Sequence, residues 1–306
     1  MRPDIWIPER SPAEVRERLA ALAAVHVFAA AGPLPERLGH GDLLVAAYGA
    51  ARALEVAGHI DGLRYVQSFS AGVDAILERM PPGVALCDAS GVHDVAVAEW
   101  VLMAVLASRR RLPEHLEAQG RGTWRSESLV GDDLVGATVV IVGAGSIGAE
   151  VEARLLPFGA RIVRVARRQR DGVRGLGDLP ELVSSADVVI VLLPLTPATR
   201  GAVDARTIAR MRRGALLVNA SRGAVVDGAA MTEAVLAGRI MVALDVTDPE
   251  PLPDGHPLWS ARGAIVTPHV ASDVRREDER AWALVEEKVG RFARGEPLAN
   301  IVSDGY

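Results

Sequence analysis

The chain has almost none of the residues that several common chemistries require. Cys87 is its single cysteine, so no intrachain disulfide can form and a cysteine-rich metal site is excluded. That economy fits a reducing compartment, and the cysteine itself reads as a small buried apolar residue at a strand end. Lys288 is the one lysine among 34 basic residues, an arginine bias that reflects composition rather than chemistry. No apolar stretch reaches the ~18 uncharged residues of a membrane span. The opening MRPDIWIPERSPAEV has no basic segment followed by an apolar run of signal-peptide length. The expectation is a protein that stays in the cytoplasm where it is made. A dominant charge is missing too: the formal net charge is -5, with both signs mixed along the sequence. No field would gather nucleic acid or an anionic membrane, and neither is expected as a partner.

What is present is a globular balance, with 306 residues, 49% of them hydrophobic and 24% charged. That length suits about two domains, each with its own core. Short runs of Val, Ile, Leu and Ala recur between segments of helical spacing, the pattern of parallel strands covered by helices. In the first third the expected strands are 25–28, 43–48, 65–69 and 84–87. From Asp94 the run DVAVAEWVLMAVLASRRRLPEHLEAQ reads as one long helix leading into a second lobe. Six further strands follow at 137–142, 161–165, 188–193, 215–219, 241–245 and 264–267, and 277–292 reads as an amphipathic helix. The expected fold class is α/β, with two Rossmann-like or flavodoxin-like lobes, doubly wound parallel sheets and a cleft between them. Residues 1–93 plus 276–306 would form a discontinuous substrate-binding domain, and 94–275 a dinucleotide-binding Rossmann domain.

The segment ATVVIVGAGSIGAEVEARLLPFG joins an apolar strand to a helix through Gly143, Gly145 and Gly148. In that context the first glycine makes the tight turn, the second lets a pyrophosphate approach the backbone, and the third lets the helix pack closely on the strand. Ser146 and Ile147 open the helix, whose free N–H groups and dipole favour phosphate. NAD binding would call for an acidic residue about 20 positions on, at the end of the next strand. The sequence there is RIVRVARRQR, with Ala166, Arg167 and Arg168 in its place. A missing carboxylate beside two guanidinium groups favours NADP(H), with NAD(H) as the alternative. The competing account makes these arginines a solvated cluster with Arg164 and Arg170.

Three more segments each put an ionisable group at the C-terminal end of an expected strand: LLVNASRGAVVD with Arg222, ALDVTDPEPLP with Glu250, and IVTPHVAS with His269. In an open α/β sheet the ligand lies at those ends. Arg222 has the planar fork to hold a carboxylate and polarise the neighbouring carbonyl. An imidazole such as His269 gives a proton readily near neutral pH as hydride reaches the carbon. Glu250 can bond the far side of that ring and fix its orientation. The hydride would come from a nicotinamide, so the reaction needs no metal.

The wording and order of GAGSIG, NASRGAVVD, LDVTDPEPLP and TPHVAS resemble the D-isomer-specific 2-hydroxyacid dehydrogenase family, over a stretch from about Phe69 to the C-terminus. The resemblance implies that Arg222, Glu250 and His269 are catalytic on a small 2-keto or 2-hydroxy acid, glyoxylate and hydroxypyruvate being the first candidates. It implies that SFSAGVD cradles the substrate carboxylate through the backbone at Ala71, Gly72 and Val73. Leu193, Pro194 and Thr199 of LLPLTPATRG, with Ala220 and Ser221, would lie along the cofactor, and Asp245 would face the nicotinamide carboxamide. It also implies a homodimer formed through an arm spanning 99–124. Two departures stand out: His93 replaces an asparagine common in relatives, and the segment 47–50 matches only loosely. His93 could lie near the cofactor or simply pack, and Trp282 could touch substrate or sit in a core. Phosphite oxidation and a non-catalytic, dinucleotide-sensing co-repressor-like role are the alternative readings of the same motifs.

Overall fold

The computed structural model describes residues 2–47, 50–124 and 130–302. The chain separates into two compact units, 1–93 with 274–306, and 94–273.

In the first unit the strands are β1 (Asp4–Pro8), β2 (Ala24–Phe28), β3 (Gly39–His40), β4 (Leu43–Ala46), β5 (Ile60–Asp61), β6 (Tyr65–Ser68) and β7 (Ala85–Cys87). Five of them make a parallel sheet in the order β2-β1-β4-β6-β7, and β3 pairs with β5 separately. This is the flavodoxin-like winding, in which the chain runs first one way and then the other from a central strand. The sequence reading passed over β1, because DIWIP is a short run ending in proline, yet Ile5 and Ile7 are fully buried and it holds a central place. Tyr48, where an expected strand ends, lies outside the described residues.

The helix Glu277–Ala293 belongs to this unit, and it turns Trp282, Val285 and Val289 inward. Trp282 stands edge-on to Phe69 with ring centroids 4.9 Å apart and is 5% exposed, so packing is the role it fills here. His93 is buried and donates from Nε2 to the Phe69 carbonyl at 2.8 Å, while its Nδ1 lies 3.0 Å from Glu277 Oε1. Nε2 is thus engaged within the unit, while Nδ1 is buried beside the Glu277 carboxylate without a hydrogen bond. Cys87 is wholly buried, and burial pushes its thiol up, which keeps it protonated and unreactive. Burial likewise pushes Lys288 down from the usual range, its Nζ being 3.5 Å from the Asp88 carbonyl.

In the second unit the strands are β8 (Thr138–Val142), β9 (Arg161–Ala166), β10 (Arg174–Gly175), β11 (Val188–Val191), β12 (Leu216–Asn219), β13 (Met241–Leu244) and β14 (Ala264–Val266). All are parallel, in the order β10-β9-β8-β11-β12-β13-β14. The six expected strands are present, and the two-residue β10 adds an edge. Val139 to Val142 and Val188 to Val191 are fully buried, as strands covered by helices on both faces must be. Winding reverses between β8 and β11, so the loops leaving their C-terminal ends diverge to opposite faces and open a crevice there.

The long helix expected from Asp94 is broken. It runs Asp94–Arg109, then Arg111 adopts φ 57 before a second helix, Leu112–Gly120, with Pro113 in its first turn. Proline lacks the N–H that an uninterrupted helix would use, so the break falls just ahead of it. No helix among the described residues is long and apolar enough to cross a membrane.

Candidate active site

At the end of β8 the three glycines divide the work by space. Gly143 has φ 128, and a Cβ there would lie 2.6 Å from the Leu192 carbonyl oxygen, so the turn tolerates no side chain against the neighbouring strand end. At Gly148 a Cβ would come 2.1 Å from the Gly143 carbonyl oxygen, which sets the helix Ser146–Leu155 hard against the turn. Gly145 is the opposite case, with nothing within 4 Å of its Cβ position. No packing reason forbids a side chain there. The bare backbone faces open space at a helix N-terminus, where Ser146 and Ile147 begin the helix, and that is the shape a phosphate group fits. The turn is also held from outside: Arg170 donates to the Ala144 carbonyl at 2.9 Å. In the sequence Arg170 enters only the competing account of a solvated arginine cluster. Arg167 and Arg168 lie exposed just past β9, on the strand next to the turn.

The loop after β11 is internally stapled. Thr199 is 2% exposed. Its hydroxyl donates to the Pro194 carbonyl at 2.6 Å and accepts the Thr196 N–H at 2.8 Å. Its side chain therefore shapes the loop, with Leu193 buried and Pro194 exposed.

Asn219, at the end of β12 and 1% exposed, closes a local turn that the sequence reading did not single out. Its Oδ1 accepts the Ser221 N–H at 3.1 Å and the Ser221 hydroxyl at 2.8 Å, and its Nδ2 donates to the Arg222 carbonyl at 3.0 Å. An asparagine that bonds the backbone two residues on is a common turn former, and that was the available signal. Gly223 follows, and a Cβ there would lie 2.1 Å from the Thr247 carbonyl carbon. Only glycine lets the Arg222 loop press directly onto the peptide that leads to Glu250. The half-buried Arg222 donates to the Ser221 carbonyl at 2.9 Å.

Asp245 ends the next strand and is 3% exposed. Its Oδ1 accepts the Thr267 hydroxyl at 2.6 Å and the Val270 N–H at 2.9 Å, and Oδ2 accepts the Ala271 N–H at 2.9 Å. Its carbonyl takes the His269 N–H at 2.8 Å. The residue expected to face the nicotinamide thus encircles the histidine from both sides in sequence. That hold has a cost to offset, for His269 sits at φ 56, a left-handed backbone costing a non-glycine residue about 1–2 kcal/mol. Three bonds to a buried carboxylate, each worth about 1.5–3 kcal/mol, outweigh it.

His269 Nδ1 lies 2.5 Å from Glu250 Oε1. Their side chains are 46% and 41% exposed, and a pair so exposed adds only about 0–1 kcal/mol of stability. Its consequence is orientation: with Nδ1 engaged by the carboxylate, Nε2 is the nitrogen left to exchange a proton. Ala71, Gly72 and Val73 lie in the first unit, between β6 and the helix Asp74–Leu77. The Gly72 N–H has no acceptor among the described residues.

A sequence profile described as "D-isomer specific 2-hydroxyacid dehydrogenase, NAD binding domain" matches residues 102–271. Human glyoxylate reductase/hydroxypyruvate reductase is 32% identical over 316 residues, covering 96% of this chain and 96% of that protein. The chain belongs to the D-isomer specific 2-hydroxyacid dehydrogenase family. A second relative, D-3-phosphoglycerate dehydrogenase of Methanocaldococcus jannaschii, is 31% identical over 281 residues; the match takes in 88% of this chain but 53% of that one, so the chain spans about half its length. Among solved structures, an NADPH-dependent glyoxylate/hydroxypyruvate reductase of Sinorhizobium meliloti, in complex with NADP and sulfate, superposes with a TM-score of 0.82 at 29% identity, covering 99% of this chain and 98% of that one. This dehydrogenase family accounts for the α/β architecture and for an oxidoreductase with an NAD-binding domain.

Space at the glycine turn yields a test. Gly148→Ala is expected to lower the melting temperature by several degrees, since overpacking costs about 1–3 kcal/mol, and to weaken dinucleotide binding with it. Gly145→Ala should leave the melting temperature unchanged and still weaken binding, followed by cofactor fluorescence titration. A Gly145→Ala protein that binds dinucleotide as well as the parent would remove that backbone from the site.

Proposed function

We propose that the chain reduces a small 2-keto acid to the D-2-hydroxy acid, or runs the reverse reaction, with Arg222, Glu250 and His269 as its catalytic set. The observation that carries this reading is the 2.5 Å contact of His269 Nδ1 with Glu250 Oε1, beside an Arg222 loop wedged by Gly223 against the peptide that leads to Glu250. Arg222 holds the substrate carboxylate and polarises the carbonyl beside it. His269 Nε2 delivers a proton to the carbonyl oxygen, and Glu250 steadies the ring as it does so. When bound, the nicotinamide supplies the hydride. Asp245 holds the histidine loop in place. Glyoxylate and hydroxypyruvate are the first substrates to try, which the relatives' names support.

Gly143, Gly145, Ser146, Ile147 and Gly148 are assigned to the pyrophosphate, with Leu193, Pro194, Thr199, Ala220, Ser221 and Asp245 lining the rest of the cofactor site. Ala71, Gly72 and Val73 are assigned to the substrate carboxylate, an assignment supported by the open Gly72 N–H. Ala166 in place of an acid, with Arg167 and Arg168 exposed beside it, favours NADP(H) over NAD(H). The reading also takes the protein as a cytoplasmic homodimer. Support for the dimer comes from exposed apolar side chains at Met103, Leu112, Leu116 and Trp124, the last 94% exposed.

His269→Ala should lower kcat by about 10²–10⁴ while NADPH binding is retained. Arg222→Ala should raise KM and lower kcat together, because one group both binds and polarises. Activity near the parent's in either variant would sink the assignment. For the cofactor, Arg167→Ala combined with Arg168→Ala should weaken NADPH binding by about tenfold or more and leave NADH nearly unchanged. Equal effects on the two cofactors would make these arginines bystanders.

A further inference from the structure

The strands of the first unit's sheet are parallel, so all of them begin at the edge opposite the loop that carries Ala71, Gly72 and Val73. At that edge Asp4 opens β1, and Asp42 immediately precedes β4, the strand bonded beside it. The two segments are laced together: the Asp42 N–H donates to the Asp4 carbonyl at 2.8 Å, and the Asp4 N–H donates to Asp42 Oδ2 at 3.0 Å. His40 ends β3 just ahead of Asp42, and His26 lies on β2 beside Trp6. A carboxylate oxygen of Asp4, one of Asp42 and a ring nitrogen of His40 all fall within 4.8 Å of one another. The proposed reduction uses none of them.

Two carboxylates held this close repel each other unless a cation stands with them. Among the described residues no arginine or lysine pairs with either one. Their partners are the imidazoles, with His26 Nε2 2.8 Å from Asp4 Oδ1 and His40 Nε2 3.9 Å from Asp42 Oδ2. The surroundings fix how these groups face. Trp6 stacks on His26 with ring centroids 4.9 Å apart, and its Nε1 donates to the His40 carbonyl at 3.1 Å. A Cβ on Gly62 would lie 2.8 Å from His40 Nδ1, so that edge of the ring rests on bare backbone and Nε2 is the nitrogen turned to the carboxylates. With Asp4 Oδ1 held by His26 and Asp42 Oδ2 by a backbone N–H, Asp4 Oδ2, Asp42 Oδ1 and His40 Nε2 are left to bind. The Asp42 side chain is 13% exposed and that of His40 59%, so an inner carboxylate is reached from solvent past a ring that is free to adjust.

Ligand chemistry selects the ion. Calcium and magnesium take shells of oxygen ligands, whereas a set that includes an imidazole suits first-row transition ions. Zinc binds such nitrogen and oxygen atoms at about 2.0–2.2 Å, which sets tetrahedral ligands about 3.4 Å apart. Side-chain movements of about an ångström therefore close the present set on an ion of that size. We propose that Asp4, Asp42 and His40 form a binding site for a divalent first-row transition ion, zinc by preference, with His26 orienting the Asp4 carboxylate. Water completes the coordination. The ion neutralises the facing carboxylates and clamps the starts of β1 and β4 to the segment carrying His40, a structural role separate from hydride transfer.

The test titrates the full chain, stripped of metal by a chelator, with zinc by calorimetry and follows its melting temperature with zinc, calcium or magnesium. Zinc well above its Kd should raise the melting temperature by a few degrees, and calcium and magnesium should not. His40→Ala removes an exposed ring with little packing to lose and should cut zinc affinity by more than about a hundredfold, while His26→Phe, which keeps the stack on Trp6, should cost about 10–100-fold. Melting temperatures without zinc show that each variant is folded. Cobalt(II) in place of zinc should give visible ligand-field bands in the parent that His40→Ala lacks. The zinc site should persist in His269→Ala, which separates it from the histidine–glutamate pair of the proposed reaction. A zinc affinity weaker than about 1 mM, an equal response to calcium or magnesium, or unchanged affinity in His40→Ala overturns the proposal. Zinc binding lost in His269→Ala and kept in His40→Ala overturns it as well, because the ion then sits at the reacting groups.

Discussion

A carboxylate taken out of water must be met by donors, and at the end of β13 every donor that meets Asp245 comes from the segment carrying His269. Thr267 gives a hydroxyl, while Val270 and Ala271 give backbone N–H groups. A buried charge left without these bonds would cost several kcal/mol, so the segment cannot drift from the strand without exposing that cost. This dependence holds His269 at a backbone angle it would otherwise avoid and aims its ring at Glu250. The weak, exposed histidine–glutamate pair could not do that alone.

A second constraint is steric. Gly223 lets the Arg222 loop rest directly on the Thr247–Asp248 peptide, and Asn219 ties the same loop to its own strand. Two neighbouring strand ends are thereby fixed against each other, one by absence of a side chain and the other by a buried amide. The catalytic proposal needs groups held to a fraction of an ångström while they remain open to a ligand. Here the charged tips are exposed or half-buried, and the groups that position them are buried.

Much of this was legible in the sequence, and for physical reasons. Strands covered on both faces are almost continuously apolar, so β8, β11, β12 and β13 stand out, and the glycine turn is legible because its spacing serves a geometry that only glycine permits. Arg222, Glu250 and His269 could be singled out because the chemistry proposed for them is specific to their residue types. What escaped was set by context. DIWIP looks too short and too interrupted for a central strand, yet it is one. The helix from Asp94 keeps its apolar spacing across the break, which only Pro113 hints at. The hold of Asp245 on the histidine segment escaped because two of its partners are backbone groups 25 and 26 positions away, and no residue type signals a backbone N–H. Arg170 was missed for a similar reason, since its acceptor is a carbonyl.

The most direct test of the central claim follows the hydride itself. The protein is given NADPH carrying deuterium at both C4 positions together with a 2-keto acid, and the hydroxy acid formed is examined by mass spectrometry and NMR. The account predicts one deuterium in each product molecule, located at C2. A hydroxy acid without deuterium at C2, or no hydroxy acid across a broad set of 2-keto acids from protein that binds the cofactor, would contradict it.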